Sequence, residues 1–292
     1  MFSAQDIKEL REKTGAGMMD CKKALQESNG NMEEAITWLR EKGISKAAKK
    51  AERIAAEGLT LAVSNDNNGV IVEVNCETDF VARNEEFKTL IHHIAKTLFD
   101  SDAKTIEEAE KEIMEDEKVS IADAVVALTA KIGEKISFRR FEKVVKNDDE
   151  VFGIYSHMGG RITSLVVLKG NDRDVAKDVA MHVAAMNPLY LDSSSVSEEA
   201  LNKEREIYKE QAINEGKTPE IAEKMVEGRI KKYYKEVCLV EQPFIKDSGL
   251  SVGQYAKNNG MEVISMIRYE VGEGIEKRND NFAEEVMNQI NG

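Results

Sequence analysis

Glu77-Thr78-Asp79-Phe80-Val81-Ala82-Arg83-Asn84 is the stretch that decides how this chain is organised, because it interrupts an internal repeat. Upstream, Leu59 to Val63, Asp66-Asn67-Asn68-Gly69 and Val70 to Asn75 predict strand, tight turn and strand, since apolar β-branched runs flank turn chemistry. Val151 to Tyr155, Met158-Gly159-Gly160 and Ile162 to Leu168 predict the same unit again. Each hairpin leads to a similar helix, through Leu90-Ile91-His92-His93-Ile94-Ala95 or Ala180-Met181-His182-Val183-Ala184-Ala185. Each copy closes on a matching strand, Ile136 to Glu142 or Ile264 to Glu270. Only Lys169-Gly170-Asn171 separates strand from helix in the second copy; the first inserts Thr78-Asp79-Phe80 there. A loop that its twin lacks is not required by the fold, and a Phe beside an Asp on it suggests a contact surface. The alternative is that Phe80 folds back as a lid on its own core.

Outward from the repeats, Ser3 with Asp6 starts a first helix, and Thr14-Gly15-Ala16-Gly17 breaks it. Met18 to Leu25 predicts a second, and Asn31 with Glu34 caps a third that stops at Gly43. Three short helices make a compact bundle resembling a ubiquitin-associated domain, and a basic, Ala-rich helical connector follows from Ile44 to Glu57. Asp100 to Lys118 reads as an acidic, solvated excursion. Ser195 with Glu198 caps one helix of an inserted antiparallel, coiled-coil-like hairpin; Thr218 caps the other, with Pro219 at its first position. Leu201, Tyr208, Met225, Ile230 and Tyr233 supply its apolar stripe. Gly272 to Lys277 predicts a flexible turn, and Asn281 with Glu284 a last helix bearing Phe282. The fold class expected is therefore α+β. The bundle with its connector occupies residues 1–55 and the first core repeat 56–146. The second repeat takes 147–194 and 237–271, the hairpin 195–236 and the C-terminal module 272–292.

Composition narrows the function. Hydrophobic residues at 41% and charged residues at 33% of 292 describe a soluble chain. With 41 basic against 54 acidic side chains the net charge is −13, which argues against a broad phosphate footprint on nucleic acid. Cys21, Cys76 and Cys238 match no zinc spacing, and their odd number without a signal peptide favours a reduced cytosolic setting. No run is long enough for a membrane span.

Catalytic chemistry is not visible. Gly272-Glu273-Gly274 lacks the Gly-Lys-Ser/Thr ending of a phosphate loop, and Gly15-Ala16-Gly17 lies between helices. His92 and His93 are adjacent, hence on different faces of their helix, and with His182 at the matching repeat position a structural role is expected for one of them. His157 borders a tight turn and is either a contact or an ordinary hairpin residue. Adjacent Met18 and Met19 point to different sides, so they either form an adaptable binding surface or fill the bundle's core.

Thr14 to Leu25, Thr78-Asp79-Phe80-Val81-Ala82, His157 to Ile162, Met225-Val226-Glu227-Gly228-Arg229 and Val271 to Lys277 together resemble the bacterial elongation factor Ts family, in order along the chain. Each motif alone is weak; the ordered set is specific. The resemblance implies a guanine-nucleotide exchange factor for elongation factor Tu, not an enzyme, with no cofactor, no direct nucleic-acid or membrane partner and a cytoplasmic location. The partner would be bound with GDP and without nucleotide; a homodimer or a two-plus-two complex is left open. Thr78, Asp79, Phe80 and Val81 would form the loop that intrudes near the partner's magnesium site. Arg11, Met18, Met19 and Lys22 would grip its GTPase domain, as would the last helix with Phe282. His157 and Ile245 would meet its distal β-domain. Lys246 departs from family members that carry an apolar residue after Ile245.

Overall fold

The computed structural model describes residues 2–14 and 16–276. The chain forms two compact units: Met1–Leu61, Val72–Phe141 and Glu270–Gly292 make the first, Ala62–Ile71 and Glu142–Tyr269 the second. In chain order the elements begin with α1 (Ala4–Thr14), α2 (Met18–Glu27), α3 (Met32–Ala48), β1 (Glu57–Ser64), β2 (Asn68–Cys76), α4 (Asp79–Ala82) and α5 (Glu85–Asp100). Then come α6 (Ile106–Ala109), β3 (Ile113–Met114), β4 (Val119–Ser120), α7 (Ile121–Ile132) and β5 (Ile136–Val145). The fold is mixed helix and antiparallel sheet and begins with three helices. The expected C-terminal helix with Phe282 lies outside the described residues.

The N-terminal helices close on Leu10, Cys21, Ala24, Leu25 and Ala35. Asn31 caps α3 by accepting from the Glu33 and Glu34 N–H groups. The helix does not stop at Gly43. That residue is buried, and a Cβ there would lie 3.5 Å from the Ala130 Cβ of α7. The glycine lets two helices approach, a role that local sequence does not distinguish from a stop. The expected helical connector is helical only to Ala48, and turns carry the chain on towards β1. An Arg40–Asp123 ion pair at 2.6 Å also joins α3 to α7.

The β1-β2-β5 sheet has β2 at its centre, buried from Gly69 to Cys76, as a strand covered on both faces must be. Helix α5 buries Phe87, Leu90, Ile91, Ile94 and Leu98 on one face. The Asp100–Lys118 excursion is less solvated than expected. It contains α6 and a short ladder pairing Ile113 with Ser120 and Met114 with Val119, with Ala103, Ala109 and Met114 buried. Most of its charges are exposed, as is Ile113, while Glu110 and Glu112 are half-buried.

Glu73, fully buried on β2, accepts from Arg139 (3.0 Å), Arg140 (2.6 Å), the Asn75 amide (3.0 Å) and the Gly272 N–H (2.8 Å). Burial alone would raise its pKa. The Gly272, Asn75 and Arg140 bonds more than offset that and hold the carboxyl below its ordinary range. Arg139 also donates to the Glu273 carbonyl, and Arg140 to that of Glu270. The turn expected to be flexible is therefore tied down as far as Glu273. Gly272 has φ +72°, and a Cβ there would stand 2.2 Å from the Ala56 carbonyl oxygen, so no other residue fits.

The second unit continues with β6 (Glu150–His157), β7 (Ile162–Lys169), α8 (Arg173–Met186), a 3₁₀ turn (Ser193–Ser195), α9 (Glu198–Asn214) and α10 (Pro219–Val237). It ends with β8 (Pro243–Phe244), β9 (Asp247–Ser251), α11 (Val252–Asn258) and β10 (Glu262–Glu270). Its sheet order, β10-β7-β6, again places the second strand of the hairpin centrally. The β8-β9-α11 run answers β3-β4-α7, so the duplication extends to small elements that sequence did not reveal. Strands β6 and β7 pair Val151 with Leu168, Gly153 with Val166 and His157 with Ile162. Val166, Leu168, Val175, Val179, Val183, Leu239 and Phe244 are among the buried core.

Helices α9 and α10 meet through Ala212, Ala222, Val226 and Ile230, with the expected Leu201, Tyr208, Met225 and Tyr233 half-buried. Arg229 crosses between them to the Tyr208 carbonyl, Gln211 and Glu215. The cap of α9 is Ser197, which accepts from the Ala200 N–H, while Ser195 ends the 3₁₀ turn held by Asp192; Thr218 precedes α10 without a side-chain capping bond, and Pro219 opens that helix. The hairpin's two ends are stitched together, Leu239 N–H to the Tyr190 carbonyl and Tyr190 N–H to the Val237 carbonyl.

Of the adjacent pair, His92 is exposed and His93 is half-buried with Nδ1 2.8 Å from Glu117, whereas His182 is fully buried. Its Nδ1 accepts from the Ile245 N–H (3.1 Å), so Nε2 carries the proton and donates to Gln242 Oε1 (2.9 Å). Gln242 in turn donates to the Glu236 carbonyl (2.8 Å). Burial pushes the His182 pKa down, against a smaller upward pull from Gln242.

Two outcomes follow for stability. Gly153→Ala places a Cβ 2.2 Å from the Ala176 carbonyl oxygen of α8; urea unfolding is expected to show a loss of about 1–3 kcal/mol. Because the native state resists protonating His182, its contribution is complete above the unfolded pKa of about 6.5 and is lost as pH falls through that value. The urea midpoint is therefore expected to drop from pH 7.5 to 5.5, and to drop less in His182→Gln.

Candidate functional site

The inserted stretch is a turn of helix rather than an irregular loop. Thr78 caps α4, its Oγ1 accepting from the Val81 N–H at 3.4 Å. Val81 and Ala82 are buried at 7% and 6%, which roots the turn, and this leaves Phe80 pointing outward at 80% exposure. Phe80 is thus no lid on its own core. Of the four residues expected to intrude, Phe80 is exposed and Asp79 partly so, whereas Thr78 and Val81 hold the turn. Asp79 is paired with Arg83 at 2.8 Å on the same turn.

Beneath the turn lies a reciprocal set of bonds. Glu134 accepts from the Thr78 N–H (3.0 Å) and hydroxyl (2.8 Å), while Glu77 accepts from the Lys135 N–H (2.5 Å). Lys135 Nζ donates to the Ala51 and Arg53 carbonyls (2.7 and 2.9 Å), and Arg53 pairs with Glu77 at 3.2 Å. Sequence alone assigned no role to Glu134, Lys135 or Arg53. They stand far from Thr78 along the chain, so no spacing or periodicity marks them.

On the bundle, Met18 and Met19 are exposed at 61% and 73%, so neither fills its core. Arg11 and Lys22 are exposed as well, and an Asp20–Lys46 ion pair at 2.9 Å ties this end of α2 to α3. In the second unit, His157 is exposed beside Met158, its ring stacked at 6.2 Å on Tyr155. Ile245 is half exposed, its backbone fixed by His182. Lys246 pairs with Asp178 at 2.5 Å, and Tyr255, packed on Phe244, donates to the same carboxylate at 3.0 Å. The charged residue after Ile245 thus has a partner within its own unit.

Chemical machinery is sparse. Cys21, Cys76 and Cys238 are free thiols and all buried. Burial pushes Cys76 and Cys238 up to about 12, leaving little thiolate. Among the described residues no group of three or more His, Cys, Asp or Glu side chains is placed to hold a metal, and no helix is long and apolar enough to cross a membrane. The second unit has an open cleft of about 1040 Å³ lined by Asp66, Lys146, Asp149, Phe152 and Arg173 among others. What the surface does offer is a set of exposed apolar side chains on well-anchored backbone.

The family model for elongation factor Ts matches residues 77–273. Its span opens at Glu77, whose carboxylate begins the bonds beneath α4, and closes at Glu273, beside the Gly272 turn that Glu73 holds. The match covers about two thirds of the chain, from the end of the first repeat's opening hairpin through the second repeat with its inserted helices, and on that ground the chain belongs to the elongation factor Ts family.

Proposed function

We propose that this chain binds elongation factor Tu in its GDP form and speeds GDP release, Phe80 being the side chain that does the mechanical work. The observation that carries this is an aromatic ring left 80% exposed on a turn whose neighbours are buried or hydrogen-bonded. Leaving a ring of that size in water is unfavourable, and a crevice in a partner is the environment that repays it. Phe80 enters a crevice of the GTPase domain near the nucleotide's magnesium ion, and Asp79 exchanges Arg83 for groups around that ion. Arg11, Met18, Met19 and Lys22 grip the same domain from a ubiquitin-associated-like bundle, and His157 with Ile245 meets the distal β-domain.

The thermodynamics is linkage. GDP with Mg²⁺ favours a closed nucleotide site and this chain an opened one, so each lowers the other's affinity by the same factor. A wedge that bound both states equally would change nothing. Excess GTP refills the opened site and displaces the chain.

Phe80→Ala should leave the fold intact and slow stimulated release of fluorescent GDP roughly thirtyfold, the rate equivalent of about 2 kcal/mol. Release as fast as wild type would remove Phe80 from the mechanism. Replacing Met18 and Met19 together by Ser should raise the half-saturating concentration roughly three- to tenfold while leaving maximal release unchanged. Tight association by the double variant would show that the bundle docks elsewhere.

A further inference from the structure

Phe80 has almost no packing of its own, so its direction is inherited from the backbone of α4. A single helical turn does not hold itself together in water, because nucleation costs more than one turn returns. The turn must be set from outside. We propose that Glu134 is the positioning residue for Phe80, and that Glu134 and Glu77 form a clasp which fixes the turn against the chain that follows α7; this rests on the exchange function proposed above.

The clasp is reciprocal. Each acid accepts the backbone N–H of the residue that follows the other: Lys135 for Glu77 at 2.5 Å and Thr78 for Glu134 at 3.0 Å. Sliding one segment past the other by a residue breaks both bonds together. Thr78 is doubly committed, since its hydroxyl donates to Glu134 while its lone pair caps α4. Loss of the carboxylate therefore frees the cap as well. The base beneath Glu134 is itself fixed. Gly133 ends α7 in the left-handed conformation, φ +88°, and the Thr129 hydroxyl accepts from the Ile136 N–H at 3.2 Å.

The repeat supplies an internal comparison. Glu262 stands before Ile264 as Glu134 stands before Ile136, yet Glu262 is exposed. The second copy has no extra turn, since β7 passes to α8 through Gly170, Asn171 and Asp172 alone. An acid stands at or just before the start of the closing strand in both copies, but only in the first does it hold a turn. The clasp also reaches the bundle's connector. Lys135 Nζ binds the Ala51 and Arg53 carbonyls, and Arg53 binds Glu77, so the chain leaving α3 is attached to the base of the Phe80 turn.

The test measures stimulated GDP release from elongation factor Tu across a range of chain concentrations, which separates maximal rate from half-saturation. Glu134→Gln sets an amide N–H₂ against one of two donors. It should lower the maximal rate about tenfold with half-saturation within about twofold of wild type. Added to Phe80→Ala it should cost less than about a further twofold, because both act through one ring. A purely structural role for Glu134 would predict additive losses instead. If Phe80→Ala releases GDP at the wild-type rate, the exchange function falls. If Phe80→Ala is slow while Glu134→Gln is as fast as wild type, or if their losses add fully, the clasp alone is overturned. Should circular dichroism show Glu134→Gln unfolded, Thr78→Val, which removes only the hydroxyl, is measured in its place with the same outcomes.

Discussion

A buried carboxylate organises the first unit. Glu73 lies at zero exposure on the central strand of its sheet, where an unpaired charge would cost several kcal/mol. The structure answers with two guanidinium groups from β5, a side-chain amide and a backbone N–H from a segment almost two hundred residues away. Each requirement constrains sequence elsewhere. Arg139 and Arg140 must be adjacent on β5, Gly272 must lack a side chain, and its neighbours must bring their carbonyls to the arginines. The Glu73 cluster costs much to assemble and more to break, so it defines one path for the chain rather than adding freely to stability.

Sequence made the repeated hairpins and most helices legible because their signals are local. Alternation, turn residues, a cap such as Asn31 and a first-turn proline such as Pro219 act within a few residues. The exposed Phe80 was also legible, by comparison of one repeat with the other. Gly43 misled because a stop and a close helix approach use the same residue, and only the position of Ala130 separates them. Ser195 misled because the stretch Ser193 to Ser197 offers several hydroxyls, and the backbone makes Ser197 the cap. The acidic excursion hid a buried Met114, since two-residue strands are too short to show a period.

The surfaces were only half legible. Met18, Met19 and His157 could be singled out as candidates for exposure, and Ile245 through the family resemblance alone, but what holds them in place could not. Ile245 depends on the neutral imidazole of His182, and Phe80 on carboxylates at Glu77 and Glu134. Such bonds join points many residues apart, and one sequence contains no trace of the pairing.

The stitched neck of the inserted hairpin has a consequence for how such a chain can vary. Because Tyr190 and Leu239 bond directly to each other, the two ends of the insertion stay at a fixed separation whatever lies between them. The rest of the unit registers only that separation. An arm extended or trimmed by whole helical turns would leave the neck as it is, and closure of a longer excursion adds little entropy. The neck is in effect a graft junction, at which arms of different reach could be exchanged while the unfolding free energy of the core stays the same.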